Sequence, residues 1–333
     1  MSVKLTSGQY AHLKNISNDQ HVIAGLAIDQ RESLNKMIAA GANGKVGPTA
    51  LSEYKTIVSE ELTKYTSAIL LDPEYGLSAA KARDAHSGLL LSYERSGYDT
   101  TMPGRLPALL NTQSVLRITE EGGDAVKVLL YYDADEDDQV NDRKRAFVER
   151  VGAEAKANNL PFLLELVSYS AHLKSTSDAA YAKVKPHKVL AMTQEFSNPR
   201  FNVSVLKLEV PVNQAFVEGF TQGETPVYSE QEAADYYLQQ SQATDLPFIF
   251  LSGGVSNALF LRELQFAHDA GSQFNGVLCG RATWKNGVII YAAQGEAAER
   301  RWLQTEGKAN IQQLNSVLTR TTTPWDTRVE NEK

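Results

Sequence analysis

Three ionisable residues interrupt runs that are otherwise apolar: Lys127 in AVKVLL, Glu165 in FLLELV and Lys207 in VLKLEV. Burying a lone charge is costly, so each of these side chains needs a partner or a purpose. A structural lysine–glutamate pair filling a core is the plain explanation for any one of them. Three on consecutive apolar runs, at comparable distance from the start of each run, predict a meeting point. Period-two alternation also puts Glu209 on the face of Lys207, with Leu206 and Leu208 on the other. Asp29 closes the first apolar run, AGLAID, and adds a second carboxylate. Two lysines and two carboxylates have a specific chemistry available. A lysine crowded by another cation and partly desolvated loses its proton more easily and becomes a nucleophilic amine, whose attack on a ketone gives a Schiff base.

Two further segments have the composition of an anion cradle: LSGGVSN (251–257) and CGRATW (279–284). Backbone N–H groups of Ser252, Gly253 and Gly254, with Gly280 and Arg281 opposite, would surround a phosphate. Arg281 adds a fixed bidentate donor. Taken singly, S-G-G is more simply a tight turn, because glycine is the usual residue there. Its pairing with G-R at the end of the following run favours the phosphate reading.

Other candidates carry less. The six histidines, His12, His21, His86, His172, His187 and His268, have no metal-ligand spacing. Cys279 lies in an apolar run as a packed thiol, and Ser252 has no hydrolase motif around it. The acidic run DADEDD (133–138) reads as a solvated loop without a site.

The elements that must position these residues can be read from eight short apolar runs: 21–29, 67–72, 88–94, 125–132, 161–168, 203–210, 247–253 and 276–282. Most are continuous rather than alternating, as in parallel strands covered on both faces. Between them lie amphipathic patterns such as TALSEYKTIVSEELTKY and DQVNDRKRAFVERVGAEAKANN. Ser229 with Glu232 forms a capping box, and Ser256 opens a helix that ends at Gly271. Strand then helix, eight times, predicts an α/β fold of the (β/α)₈ TIM-barrel type, a single domain with an extra N-terminal helix near 8–16. The expected limits are an N-terminal helical segment over 1–20, the barrel over 21–325 and a tail over 326–333. A doubly wound sheet would share the alternation, but no G-x-G-x-x-G comes after the first run. The stretch 95–110 is expected to loop over one barrel end.

In a barrel the charged strand residues fall where active sites gather, at the C-terminal strand ends, and loops after strands seven and eight are the usual phosphate site. The composition limits the partners. With 33 Lys+Arg against 40 Asp+Glu the net charge is −7 in 333 residues, which argues against nucleic-acid or anionic-membrane partners. A single cysteine, no apolar leader in MSVKLTSGQYAHLKN and no uncharged span of ~20 residues suggest a reducing cytoplasm. A homodimer is the default assembly.

The stretches GLAIDQR (25–31), AVKVLLYYD (125–133), LLELVSY (163–169), FNVSVLKLEVPV (201–212), LSGGVS (251–256) and LCGRATWK (278–285) together resemble the class I tagatose 1,6-bisphosphate aldolases of bacteria, over the whole length. The resemblance implies Lys207 as the Schiff-base lysine and Glu165 as the main proton-transfer carboxylate, supported by Lys127 and Asp29. It implies Ser252, Gly253, Gly254, Gly280 and Arg281 as the site for the C1 phosphate of a phosphorylated ketose. Gln30, within the D-Q-R signature with Arg31, would touch substrate hydroxyls. No metal or organic cofactor is implied. Class I aldolases of other phosphorylated or sulfonated ketoses share much of this pattern, and a phosphosugar sensor without chemistry is a further alternative.

Overall fold

The computed structural model describes residues 3–42, 47, 49–96 and 102–332. Eight parallel strands close into a barrel: Ile23–Ala27, Ala68–Leu71, Gly88–Ser92, Ala125–Tyr132, Phe162–Ser168, Val205–Leu208, Phe248–Leu251 and Gly276–Cys279, the last pairing with the first. The (β/α)₈ architecture expected from the alternation is the one observed.

Alternation divides each strand between two cores. Outward residues such as Val126, Val128, Leu164 and Leu206 pack with the helices in the larger cluster. Inward residues, among them Ile23, Leu70, Leu90, Ala125, Leu163, Val205, Ile249 and Leu278, fill the barrel. Leu13 and Ile16 from the helix Ser7–Asn15 and its C-cap, together with Trp325, belong to the same inner cluster and close its floor. Val3–Leu5 pairs in parallel with Val329–Asn331, so the tail is tied to the N-terminal segment. The barrel below the charged residues is therefore a packed hydrocarbon plug. The charges lie above it.

The caps act as expected. Ser229 and Glu232 form the capping box of Glu230–Gln242, and the Ser256 hydroxyl accepts from Leu259 N. Two helices were not legible in the sequence: Glu32–Gly41 shortly after the first strand, and Arg281–Gln294 directly after the eighth. In both, the helix starts within a segment whose polar and glycine residues read as a loop. Of the expected loop over 95–110, residues 97–101 lie outside the described residues. Arg95 N and Leu110 N donate to Ala108 O and Tyr93 O, so the ends of this stretch extend the third strand into a short antiparallel pairing.

The acidic run 133–138 is not a plain solvated loop. Asp133 is fully buried and pairs with buried Lys188, Asp135 pairs with Lys188 and His187, and Asp137 caps the helix Asp138–Ala157. A buried lysine needs this counter-charge, and the run supplies it.

Candidate active site

Glu165 and Lys207 are direct neighbours in the register of strands five and six, and both side chains point inward. That adjacency alone brings carboxylate and ammonium together, at 2.9 Å between Oε1 and Nζ. The other carboxylate oxygen of Glu165 lies 2.7 Å from Lys127 Nζ. Glu165 therefore bridges the two lysines. Lys127 is in turn held by Asp29 Oδ2 at 2.8 Å and by Glu94 Oε1 at 2.7 Å. The four residues expected to form the centre, Asp29, Lys127, Glu165 and Lys207, meet as one cluster, and none is more than 9% exposed.

Burial alone would drive these groups neutral, but their partners decide otherwise. Desolvation works against ionised Asp29 and Glu165, yet the Lys127 and Lys207 ammonium groups outweigh it and hold both carboxyls below the usual range. Desolvation likewise disfavours charged Lys127, and the carboxylates of Asp29, Glu165 and Glu94 reverse this and raise it well above an ordinary lysine. Lys127 is a fixed cation. Its charge is enclosed by carboxylates and reaches Lys207 across Glu165, rather than by the head-on crowding of two lysines that the sequence suggests.

Glu94 is the residue that sequence reasoning missed. It closes the third apolar run, GLLLSYE, and its parity with Leu90 and Ser92 sends it inward. That parity was the available signal. Burial, the first influence on it, and neighbouring Asp29 push its carboxyl up against the pull of Lys127. Glu209, placed on the face of Lys207 by alternation, accepts from Ser168 N and Ser168 Oγ at 2.7 and 2.6 Å, with the Tyr181 hydroxyl donating to Ser168 Oγ. It braces the ends of strands five and six.

The S-G-G and G-R segments converge as expected. Gly253 and Gly254 both take left-handed backbone, at φ 58° and 84°. A Cβ on Gly254 would lie 3.0 Å from the Arg281 guanidinium, so the glycine is where the arginine lies close against the backbone. A Cβ on Gly280 would lie 3.1 Å from Ala27 O and 3.4 Å from Gln30 Nε2, which places Gln30 against this turn. Arg281 is the first residue of the helix Arg281–Gln294, so the positive end of a 14-residue helix faces the same corner. Ser252 is buried beside Cys279, whose thiol is pushed up to about 11 by burial and is no nucleophile. Gly254→Ala is expected to disturb this corner twice, by strained backbone and by displacing Arg281. Phosphate protection against thermal unfolding should fall relative to wild type, and unchanged protection would show that Arg281 does not depend on the glycine.

Arg31, also from the D-Q-R stretch, is buried and spans Glu74 Oε2 at 2.5 Å and Glu94 O at 2.8 Å. It borders a cleft of about 520 Å³ lined also by Asn35, Glu74, Tyr75 and Arg95. Elsewhere at the mouth the Arg105 guanidinium stacks on Tyr169 and Tyr131, with the cation 4.4 and 5.2 Å from the ring centroids. Gln30 Oε1, Arg31 Nε, Ser92 Oγ and Glu94 Oε2 are buried without hydrogen-bond partners. Such orphans in one region mark a place where a polar ligand or water completes the structure.

Residues 23–286 match the DeoC/LacD family aldolase profile. The chain is 57% identical to tagatose 1,6-diphosphate aldolase 2 of Enterococcus faecalis over 328 residues, covering 98% of each chain. It is 50% identical to tagatose 1,6-diphosphate aldolase of Lactococcus lactis, covering 98% of this chain and 99% of that one. Among solved structures, it resembles fructose-bisphosphate aldolase from Plasmodium falciparum with a TM-score of 0.66 at 15% identity, over 94% of this chain and 96% of that one. A Schiff-base-forming fructose-1,6-bisphosphate aldolase aligns with a TM-score of 0.53 at 12% identity, over 89% and 98%. These structural likenesses concern the barrel itself.

Proposed function

Because this chain belongs to the DeoC/LacD family of aldolases, we propose that it is a Schiff-base aldolase cleaving D-tagatose 1,6-bisphosphate reversibly to dihydroxyacetone phosphate and D-glyceraldehyde 3-phosphate. The observation that carries this reading is the buried chain Lys207–Glu165–Lys127 at the C-terminal end of the barrel. The named substrate of the relatives at 50–57% identity supports the sugar.

In this reaction neutral Lys207 attacks the C2 carbonyl, and the proton it sheds passes to Glu165, 2.9 Å away. Glu165 returns that proton to the carbinolamine oxygen, and a second proton drawn from solvent lets this oxygen leave as water. The protonated imine then draws the electrons of the C3–C4 bond as a carboxylate removes the C4 hydroxyl proton, giving the aldehyde and an enamine. Glu165 is the main proton carrier and Asp29 the alternative base at C4. Protonation of the enamine at C3 and hydrolysis of the imine release dihydroxyacetone phosphate. Lys127 keeps Asp29 and Glu165 ionised and stabilises oxyanion character in the carbinolamine step. None of these steps draws on a metal or organic cofactor.

Ser252, Gly253, Gly254, Gly280 and Arg281 hold the C1 phosphate, and Gln30 contacts sugar hydroxyls. Among the described residues no helix is long and apolar enough to cross a membrane, and we assign the enzyme to the cytoplasm as a homodimer without nucleic-acid or membrane partners.

Two measurements test this assignment. A coupled cleavage assay over a panel of ketose 1,6-bisphosphates and sulfonated ketose phosphates is expected to give high turnover with tagatose 1,6-bisphosphate, and no cleavage of it would overturn the substrate. Arg281→Ala is expected to weaken dihydroxyacetone phosphate as a product inhibitor by about ten- to two-hundred-fold, the loss of a charge-assisted pair of roughly 1.5–3 kcal/mol. Glyceraldehyde 3-phosphate should be little affected. A loss confined to glyceraldehyde 3-phosphate would mean the sugar lies in the reverse sense across the barrel.

A further inference from the structure

Three carboxylates, Asp29, Glu94 and Glu165, surround Lys127. With Lys207 the cluster has two amines, and one of these must lose its charge to act as a nucleophile. Three ionised carboxylates would then face Lys127 and the guanidinium of Arg31, which is itself shared with Glu74, in a cluster where every member is buried. Excess charge of one sign is expensive there. The carboxylates do not share the burden equally. The carboxylate oxygens of Glu165 each meet a lysine. Asp29 is held by Lys127 with Lys207 near enough to favour its charge. Glu94 gives Oε1 to Lys127 and leaves Oε2 buried with no partner. An unpartnered, buried carboxylate oxygen is the costliest atom in the cluster, and one proton removes most of that cost.

We propose that Glu94 is held as a neutral carboxylic acid in the resting enzyme and acts as a positioning residue that sets the charge of the cluster. The groups facing it pull both ways. Asp29 from the end of strand one opposes its ionisation, Lys127 from strand four favours it but is shared with two other carboxylates, and Arg31 favours it while dividing its guanidinium between Glu74 and the Glu94 carbonyl. Behind them, Asp72 at the end of strand two is spent on Lys55. Burial, acting first, with the nearby Asp29 carboxylate pushes the Glu94 carboxyl up, while Lys127 and Arg31 pull the other way.

The consequence for the proposed chemistry appears at the imine stage. The protonated imine on Lys207 and Lys127 are two cations, balanced by Asp29 and Glu165. A third carboxylate would add net negative charge beside the imine and reduce its pull on the C3–C4 electrons. Glu94 as a neutral acid leaves that pull intact. Raising the pH through the displaced Glu94 ionisation should therefore slow cleavage, because the deprotonated form adds the third charge.

This role rests on the imine reading, whereas the proton itself is a property of the free protein and is measured without sugar. Infrared difference spectra of wild type against Glu94→Gln at neutral pH are expected to show the carbonyl stretch of a protonated carboxyl in wild type, shifting on deuterium exchange, and absent from the variant. ¹³C chemical shifts assigned to individual glutamate carboxyls in the wild-type protein give the same answer should the variant fold poorly: the Glu94 carboxyl should keep the shift of a neutral acid at neutral pH, resolved from Glu263 and Glu299, which burial pushes up to about 7. In kinetics, Glu94→Gln is expected to lower kcat by about two- to ten-fold, the scale of one altered hydrogen bond. It should also lose the alkaline fall in kcat expected of wild type. A wild-type enzyme in which Glu94 is ionised at neutral pH, with no protonated-carboxyl signal lost in Glu94→Gln, overturns the proposal, as does an alkaline limb retained unchanged in Glu94→Gln. Failure of imine trapping with the infrared band present would instead remove the imine reading and leave the protonated Glu94 standing.

Discussion

Replacing Lys207 with alanine is expected to abolish covalent trapping of a ketose substrate and to lower cleavage by several orders of magnitude, because the amine that meets Glu165 without being enclosed by further carboxylates is removed. The fold should survive. Glu165 keeps Lys127 through its second oxygen, so the deletion leaves no isolated buried charge. Circular dichroism and the thermal midpoint verify this independently of activity. Lys207→Arg should not rescue turnover: guanidinium stays protonated in proteins and cannot attack a carbonyl. Turnover within ten-fold of wild type in Lys207→Ala would remove this residue from the chemistry.

Glu165→Gln is expected to slow turnover by ~10²–10⁴, the usual contribution of a positioned acid–base group. An amide is isosteric, but it cannot take the proton that Lys207 sheds or return one to the carbinolamine oxygen. Imine formation should therefore slow as well, which stopped-flow trapping resolves from later steps. The substitution also takes one negative charge from between two ammonium groups, leaving Lys127 to Asp29 and Glu94 and Lys207 without its direct partner. Some stability is expected to be lost with the activity. A variant with wild-type turnover and a depressed melting temperature would mean that Glu165 serves only to neutralise the lysines.

The barrel and its central cluster were legible because buried parallel strands leave few reasons for a charge. Lys127, Glu165 and Lys207 stand out against leucine and valine, and register brings them together. A buried lysine alone is not diagnostic here. Lys55 pairs with Asp72 and Lys188 with Asp133, both fully or almost fully buried, without forming any site of this kind. What separates Lys207 is its place on an inward strand position and a carboxylate shared with a second lysine. Lys55 and Lys188 lie in helical segments, where a charge raises no alarm in the sequence.

Glu94 escaped because it is the last residue of the run 88–94, where a charge reads as the boundary of the strand rather than as an interruption of it. Pairing of this segment with 108–110 keeps it in the sheet. The helix Arg281–Gln294 escaped for a related reason: glycine and arginine at its start have the look of a phosphate turn, which describes its N-terminus and hides the helical body behind it. Arg105 lies beyond any local pattern, since its aromatic partners are on strand four and just after strand five. In each case tertiary pairing, not local propensity, decides the position.

The measurement that bears most directly on Schiff-base chemistry in this barrel is borohydride reduction of the enzyme in the presence of dihydroxyacetone phosphate, followed by intact-mass analysis and peptide mapping. One reduced adduct per chain is expected, carried by Lys207 and absent in Lys207→Ala. An adduct on Lys127 would exchange the roles of the two lysines, and the absence of any adduct at saturating dihydroxyacetone phosphate would contradict an imine mechanism altogether.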